Sequence, residues 1–238
     1  MQPCEARLSA LRAAGSEAEA LIGDITDEAL IAQAVSLVTR RWGLAYVLVN
    51  NAGISFIAPA ETTEASAFRR VLEVNLVAPF VLSRPFGSIM LAQRDGSIAN
   101  VASIAGLVGV SDRTAYNASK HGLIGLTRTL AGEWGGRGIR VNAVRPGWVK
   151  TEMDVADQAG GGYTDDDITG RVPMARFARP DDIARAILFL ADPSQSGFRQ
   201  RPGPRDRLRL DRGRKLAEPA HPQALTAAPC SRNGLRVA

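Results

Sequence analysis

The sequence predicts an α/β fold built on a parallel sheet, and three observations carry that prediction. Short apolar runs alternate along the chain with segments whose apolar residues recur at helical spacing. One of these runs, Tyr46-Val47-Leu48-Val49-Asn50, is apolar without alternation, as expected of a strand buried on both faces. Three of the runs end in polar or glycine-rich turns, and in open α/β sheets ligands bind beyond the carboxyl ends of strands.

Residues 5–14 read as the end of a helix, with Leu8 and Leu11 on one face. Ala18 to Ile22 reads as a short strand closed by Gly23-Asp24. Thr26 or Asp27 then caps a helix whose apolar positions Leu30, Ile31, Ala34, Val35 and Val38 share a face, and Gly43 ends it. The strand at 46–50 follows. Beyond it come a helix over about 63–85, a strand over Ser97–Ala102, a helix over about 113–135, a strand over Ile139–Val144 and a helix from Pro180 to Leu190. Residues 152–175, with Gly160-Gly161-Gly162 and Asp165-Asp166-Asp167, read as a long mobile loop of the kind that often forms a functional lid.

A chain of 238 residues suits one domain with a sizeable core. No apolar run approaches the ~20 residues a membrane span needs, and the N-terminus lacks the pattern of a secretory signal. Cys4 and Cys230 suggest no disulfide framework. The expectation is a soluble cytoplasmic protein without a membrane partner. The net charge of +5 is unevenly placed. Residues 199–238 hold ten Lys/Arg against three Asp/Glu, so the rest is close to neutral and has no electrostatic footprint for nucleic acid.

Tyr116 and Lys120 lie four apart in a predicted helix and project from one face. A free phenol has a pKa of about 10, too high for an efficient proton relay near neutrality. A neighbouring ammonium favours the phenolate, so Lys120 is expected to lower that value. The pair alone fits equally a helix with an aromatic core anchor and a solvated lysine. Ser103 adds a hydroxyl just past a strand end, where it can bond a substrate oxygen or simply cap the next segment. Asn50-Asn51-Ala52-Gly53 and Pro146-Gly147 follow two other strand ends.

With those residues in place, the sequence closely resembles the short-chain dehydrogenase/reductase family. The resemblance is carried by Asn50-Asn51-Ala52-Gly53, Val74-Asn75-Leu76, Ser103, Tyr116-Asn117-Ala118-Ser119-Lys120, and Pro146-Gly147 followed by Thr151. It spans about residues 17–198. In detail it is most similar to 3-oxoacyl-[acyl-carrier-protein] reductases and related sugar or cyclic alcohol dehydrogenases. The resemblance implies a Rossmann-type doubly wound parallel sheet. It also implies hydride transfer between NAD or NADP and a ketone or secondary alcohol, a 3-oxoacyl thioester among the candidates, with no metal.

Tyr116 would be the acid in reduction and the base in oxidation. Lys120 would lower its pKa and hold the nicotinamide ribose, Ser103 would orient the substrate oxygen, and Asn75 would hold a water extending the relay. Asp24 and Ile25 would lie at the adenine. Asn51, Ala52 and Gly53 would line the ribose, while Pro146, Gly147, Val149 and Thr151 would border the nicotinamide. A small-molecule partner and a family-like homo-oligomer follow from the same resemblance.

The sequence departs from the family at both ends. No glycine-rich turn precedes Asp24, so the first β-α-β unit, which cradles the pyrophosphate and separates NAD from NADP, is expected to be missing. The strand at 18–22 then has no partner beside the one at 46–50, at about 1–3 kcal/mol for each buried backbone group left unpaired. After Phe198 the family's last strand gives way to Arg199-Gln200-Arg201-Pro202-Gly203-Pro204. A one-base slip of the reading frame would account for this, because shifted CGN codons permit Val-Ser-Gly-Gln-Val-Leu.

The expected division is a partial dinucleotide-binding domain over 1–198 and a basic, disordered tail over 199–238. A nucleic-acid arm at 199–215 is the rival reading of the tail, without interleaved aromatics to support it. The alternative for the whole chain is a truncated inactive relic, or a non-catalytic oligomer partner, that keeps the Ser-Tyr-Lys residues without binding cofactor.

Overall fold

A computed structural model describes residues 2–159, 163–196 and 234–237. After helix α1 (Gln2–Ala13), strand β1 spans Glu19–Ile22 and helix α2 spans Glu28–Trp42. Asp27 caps α2 by accepting the Ala29 N–H, and Gly43 ends it at φ 74°, a left-handed conformation that suits glycine. Strand β2 (Val47–Asn50) leads through a loop to α3 (Ala65–Leu72), a π-turn (Glu73–Val77) and α4 (Ala78–Gln93). Strand β3 (Gly96–Val101), helix α5 (Thr114–Trp134) and strand β4 (Ile139–Val144) complete the central frame.

Strands β2, β3 and β4 form a parallel sheet with β3 in the middle; Val47 pairs with Ser97, and Ser97 with Arg140. One face carries Leu48, Ile98, Ile139 and Val141, packed with Ile31, Ala34 and Val38 of α2 and Leu82, Phe86 and Met90 of α4. On the other face Ser97 and Arg140 hold the end of α8 (Pro180–Ala191) through the Leu190 carbonyl, while Val144 packs on Ile183 and Ala186. Helices therefore cover both faces, the doubly wound α/β arrangement. A buried polar chain crosses the core: Asn50 Nδ2 donates to Asn100 Oδ1 at 2.7 Å and Asn100 Nδ2 to Thr127 Oγ1 at 2.9 Å, tying β2, β3 and α5 together.

Three expectations change. The chain over 152–175 is not a single loop; it holds α6 (Glu152–Ala159) and α7 (Asp165–Thr169), the latter closed by a capping box between Thr164 and Asp167. Strand β2 is buried on one face only, since Val47 and Val49 stand exposed. Strand β1 is not left unpaired. It runs antiparallel to β5 (Gly234–Val237), with Ile22 opposite Gly234, in a two-stranded sheet of its own. An isolated strand's N–H and C=O groups require partners, and here a segment of the tail supplies them. The helical stretch Ala65–Gln93 is long and apolar enough to cross a membrane by length and composition, but half of its most apolar window is buried inside the fold, as in a core helix. The arginine- and proline-rich stretch after Phe198 lies outside the described residues up to β5.

Candidate active site

The turns beyond β3 and β4 lie side by side because backbone pairing continues past those two strand ends. Ala102 N–H donates to Val144 O at 2.8 Å, and Ile104 N–H to Pro146 O at 2.8 Å. Ser103, in extended backbone, caps a short 3-10 turn (Ile104–Gly106) by accepting the Ala105 N–H at 3.1 Å. That turn packs tightly on α5. A Cβ on Gly106 would stand 2.7 Å from the Lys120 carbonyl oxygen, so glycine permits the approach that sets Ser103 beside α5.

Helix α5 brings Tyr116 and Lys120 to the same place. The Ser103 hydroxyl is hydrogen-bonded to the Tyr116 phenol. Lys120, buried, donates from Nζ to the Val101 carbonyl at 2.8 Å and lies 5.5 Å from the centre of the Tyr116 ring. Burial moves the two groups in opposite directions. It pushes the phenol above its ordinary value, partly offset by the Ser103 hydrogen bond and the Arg113 charge, and it lowers the Lys120 ammonium to about 8. The expected lowering of the Tyr116 pKa by Lys120 is therefore corrected. The ammonium sits over the ring and is itself desolvated, so burial decides the direction.

The π-turn between α3 and α4 points Asn75 into the interior, where it is fully buried. Its Oδ1 accepts the Ile54 N–H at 2.8 Å; its Nδ2 donates to Ile54 O at 2.9 Å and to Ser119 Oγ at 3.1 Å. Both amide N–H groups are thus engaged by protein, fastening the Asn51–Gly53 turn to α5. A Cβ on Gly53 would come within 3.2 Å of Asn75 Oδ1 and 3.6 Å of Lys120 Nζ.

A cavity of about 150 Å³ is lined by Asn51, Gly53, Ser103, Tyr116, Lys120, Pro146, Gly147, Val149 and Thr151, each of them singled out by the sequence. Ala52 packs toward the core beside it. Asp24 and Ile25 are not brought there. The Thr26 N–H donates to the Asp24 carboxylate at 2.9 Å, the Thr26 hydroxyl at 2.8 Å and Arg70 Nη2 at 2.6 Å, and these bonds hold it below the usual carboxylate range. Ile25 is buried in the core.

These residues fit the nicotinamide-ribose half of a dinucleotide: a buried ammonium with one backbone acceptor, a bare glycine against it, and a wall of turns open to a flat ring. Sequence reasoning missed another part of the lining: Arg113, Trp148, Met153, Asp154, Asp157 and Tyr163. The signal for Arg113 was its place one turn ahead of Tyr116, and for Trp148 its place directly after Gly147.

Comparison with known proteins agrees with this geometry. The family described as enoyl-(acyl carrier protein) reductase matches residues 2–199. The chain is 41% identical over 180 residues to inactive 2-(S)-hydroxypropyl-CoM dehydrogenase 2 of Xanthobacter autotrophicus, covering 74% of this chain and 78% of that protein. It is 39% identical over 187 residues to 3-oxoacyl-[acyl-carrier-protein] reductase of Thermotoga maritima, covering 76% and 75%. Among solved structures, a putative NAD(P)-dependent gluconate 5-dehydrogenase from Beutenbergia cavernae with bound NADP superposes with a TM-score of 0.74 at 40% identity, covering 80% of this chain and 75% of that one. With a parallel sheet, a Ser-Tyr-Lys cluster at its carboxyl end and these relatives, the chain belongs to the short-chain dehydrogenase/reductase family of NAD(P)-dependent oxidoreductases.

Proposed function

We propose that Tyr116 is the proton donor and acceptor of this oxidoreductase, that Ser103 holds the reacting oxygen, and that Lys120 holds the cofactor ribose. The observation that carries this reading is the joining of the three side chains at one cavity wall, with the Ser103 hydroxyl on the phenol and the Lys120 ammonium over the ring. A bound nicotinamide supplies or accepts the hydride. The chain's own residues do the rest. In reduction, Ser103 and Tyr116 hydrogen-bond the carbonyl oxygen, and the phenol releases its proton as negative charge gathers there. In oxidation, the phenolate takes the hydroxyl proton.

A phenol raised by burial is protonated at neutral pH, so the acid role is ready and the base role gains as pH rises. Asn75 acts on this reading as a positioning residue that fixes the Asn51–Gly53 turn. Residues 1–198 form the catalytic unit, the partner is a small-molecule ketone or alcohol, and the assembly is a family-like homo-oligomer in the cytoplasm. The nearly neutral body supports a small-molecule partner over nucleic acid.

Tyr116→Phe tests the reading. Cofactor affinity, followed by nicotinamide fluorescence on titration with NADH and NADPH, is expected to persist. Turnover is expected to fall by roughly 10²–10⁴-fold, the usual weight of general acid–base catalysis. No binding of either cofactor by the unaltered protein at millimolar concentration would favour the relic instead.

A further inference from the structure

We propose that this cavity selects a neutral substrate with a second hydroxyl beside the reacting carbon, a vicinal diol, polyol or the matching hydroxyketone, recognised by Arg113 and Asp157. The proposal rests on the reading of Ser103 and Tyr116 given above. Arg113 lies directly before α5 and Asp157 on α6, and both line the cavity together with Ser103 and Tyr116.

Arg113 Nη1 donates to Asp157 Oδ2 and to Ser55 Oγ, each at 2.7 Å, with both charged side chains nearly buried. The guanidinium stands 5.9 Å from the Trp148 ring centre and 5.8 Å from that of Tyr163, so its position is fixed by stacking as well as by the ion pair. Among the described residues, neither Arg113 Nη2 nor Asp157 Oδ1 has a hydrogen-bond partner, and neither is an atom sealed in the interior. The pair therefore offers one charged donor and one charged acceptor at the same wall. A hydroxyl group can satisfy both at once, donating to the carboxylate and accepting from the guanidinium.

Charge narrows the ligand class. The guanidinium and the Asp157 carboxylate cancel. The adjacent Asp154 carboxylate is already engaged by Tyr163 at 3.0 Å and Lys150 at 3.2 Å. Apart from Lys120, which the cofactor ribose takes on the reading above, the cations among the described lining residues face carboxylates, so none is left to hold a substrate carboxylate or phosphate. An unfunctionalised acyl chain would cover the pair's polar atoms without bonding them, which is unfavourable in a nearly dry site. Trp148 and Tyr163, edge to face at 5.2 Å, supply apolar surface for the C–H face of a polyol.

The test compares threitol and butane-2,3-diol with butan-2-ol as substrates of the full chain with NAD and NADP. The readout is the ratio of kcat/KM for diol over mono-alcohol. The unaltered protein is expected to favour the diols by about 10- to 100-fold, the weight of a hydrogen bond to a charged group. Asp157→Asn and Arg113→Lys should each lower that ratio at least several-fold. A second readout needs no cofactor. Threitol should quench Trp148 emission where butan-2-ol does not, with Trp148→Phe as the blank, and this holds even if the charge variants fail to fold.

A wild-type ratio near one, or quenching by neither alcohol, overturns the proposal while leaving the role of Tyr116 intact. Tyr116-independent turnover, or none on any secondary alcohol, overturns the reading beneath it as well.

Discussion

Lys120 is the residue where burial and chemistry pull hardest against each other. Its ammonium is held at about 8 by desolvation, against an ordinary value of 10.5. The unfolded chain therefore binds more protons than the folded one between those two values, and stability rises with pH across that interval. Below about pH 8 both states carry the charge and the full burial penalty applies. It amounts to roughly 3 kcal/mol from the shift alone. Lys120→Met is expected to raise the thermal midpoint at pH 7, and its advantage should shrink steadily from pH 8 to pH 10.5. Calorimetry across that range checks it; an advantage that grows with pH would contradict the assignment. Tyr116, Lys120 and Ser103 were legible in the sequence because their chemistry is tied to residue type and to the ends of strands. The direction of the Tyr116 shift was not legible, because it depends on how much water the surrounding side chains exclude.

Among the elements, the π-turn at Glu73–Val77 has the clearest consequence for the site, since Asn75 fastens three separate pieces of chain. Asn75→Ala removes those bonds and leaves the Ile54 N–H without its acceptor, a loss of about 1–3 kcal/mol. Denaturant unfolding should report that loss, and amide exchange at Ile54 should accelerate more than exchange in the middle of α5. An unchanged rate at Ile54 would show that the turn is held by other means. Element type was readable wherever periodicity was strong. The spacing predicts a strand over 139–144, and β4 has those bounds. It predicts a helix over 113–135, and α5 fills Thr114–Trp134. The stretch after Thr151 misleads because its helices are short and rich in Asp and Gly, residues that otherwise signal loops. Caps from Thr151 and Thr164, rather than propensity, start them. Nothing in residues 63–85 announces a π-turn, since one extra residue in a helix leaves the apolar pattern nearly unchanged.

At the scale of the molecule, the strands among the described residues form a three-stranded parallel sheet, with one side of β2 left open, and a separate antiparallel pair, β1 with β5. The pairing of β1 could not be read from the sequence, because it joins residues more than two hundred positions apart and the tail carries no strand pattern. Deleting residues 234–238 should release the amides of β1 to exchange with solvent while leaving those of β3 protected, as judged by hydrogen–deuterium exchange. Equal protection of β1 in the full and shortened chains would dissociate the two strands. The joined turns above β3 and β4 carry a different kind of consequence. Because Ala102 and Ile104 remain bonded to Val144 and Pro146, the floor that holds Ser103 and Gly147 inherits the spacing of neighbouring strands, ~4.8 Å. That interval is a ruler built of peptide groups, which no side-chain replacement can stretch. The roof formed by α6 and Tyr163 has no such ruler. Differences in the size of what enters must be written there, on a gauge that keeps the reacting atoms in place whatever is written above them.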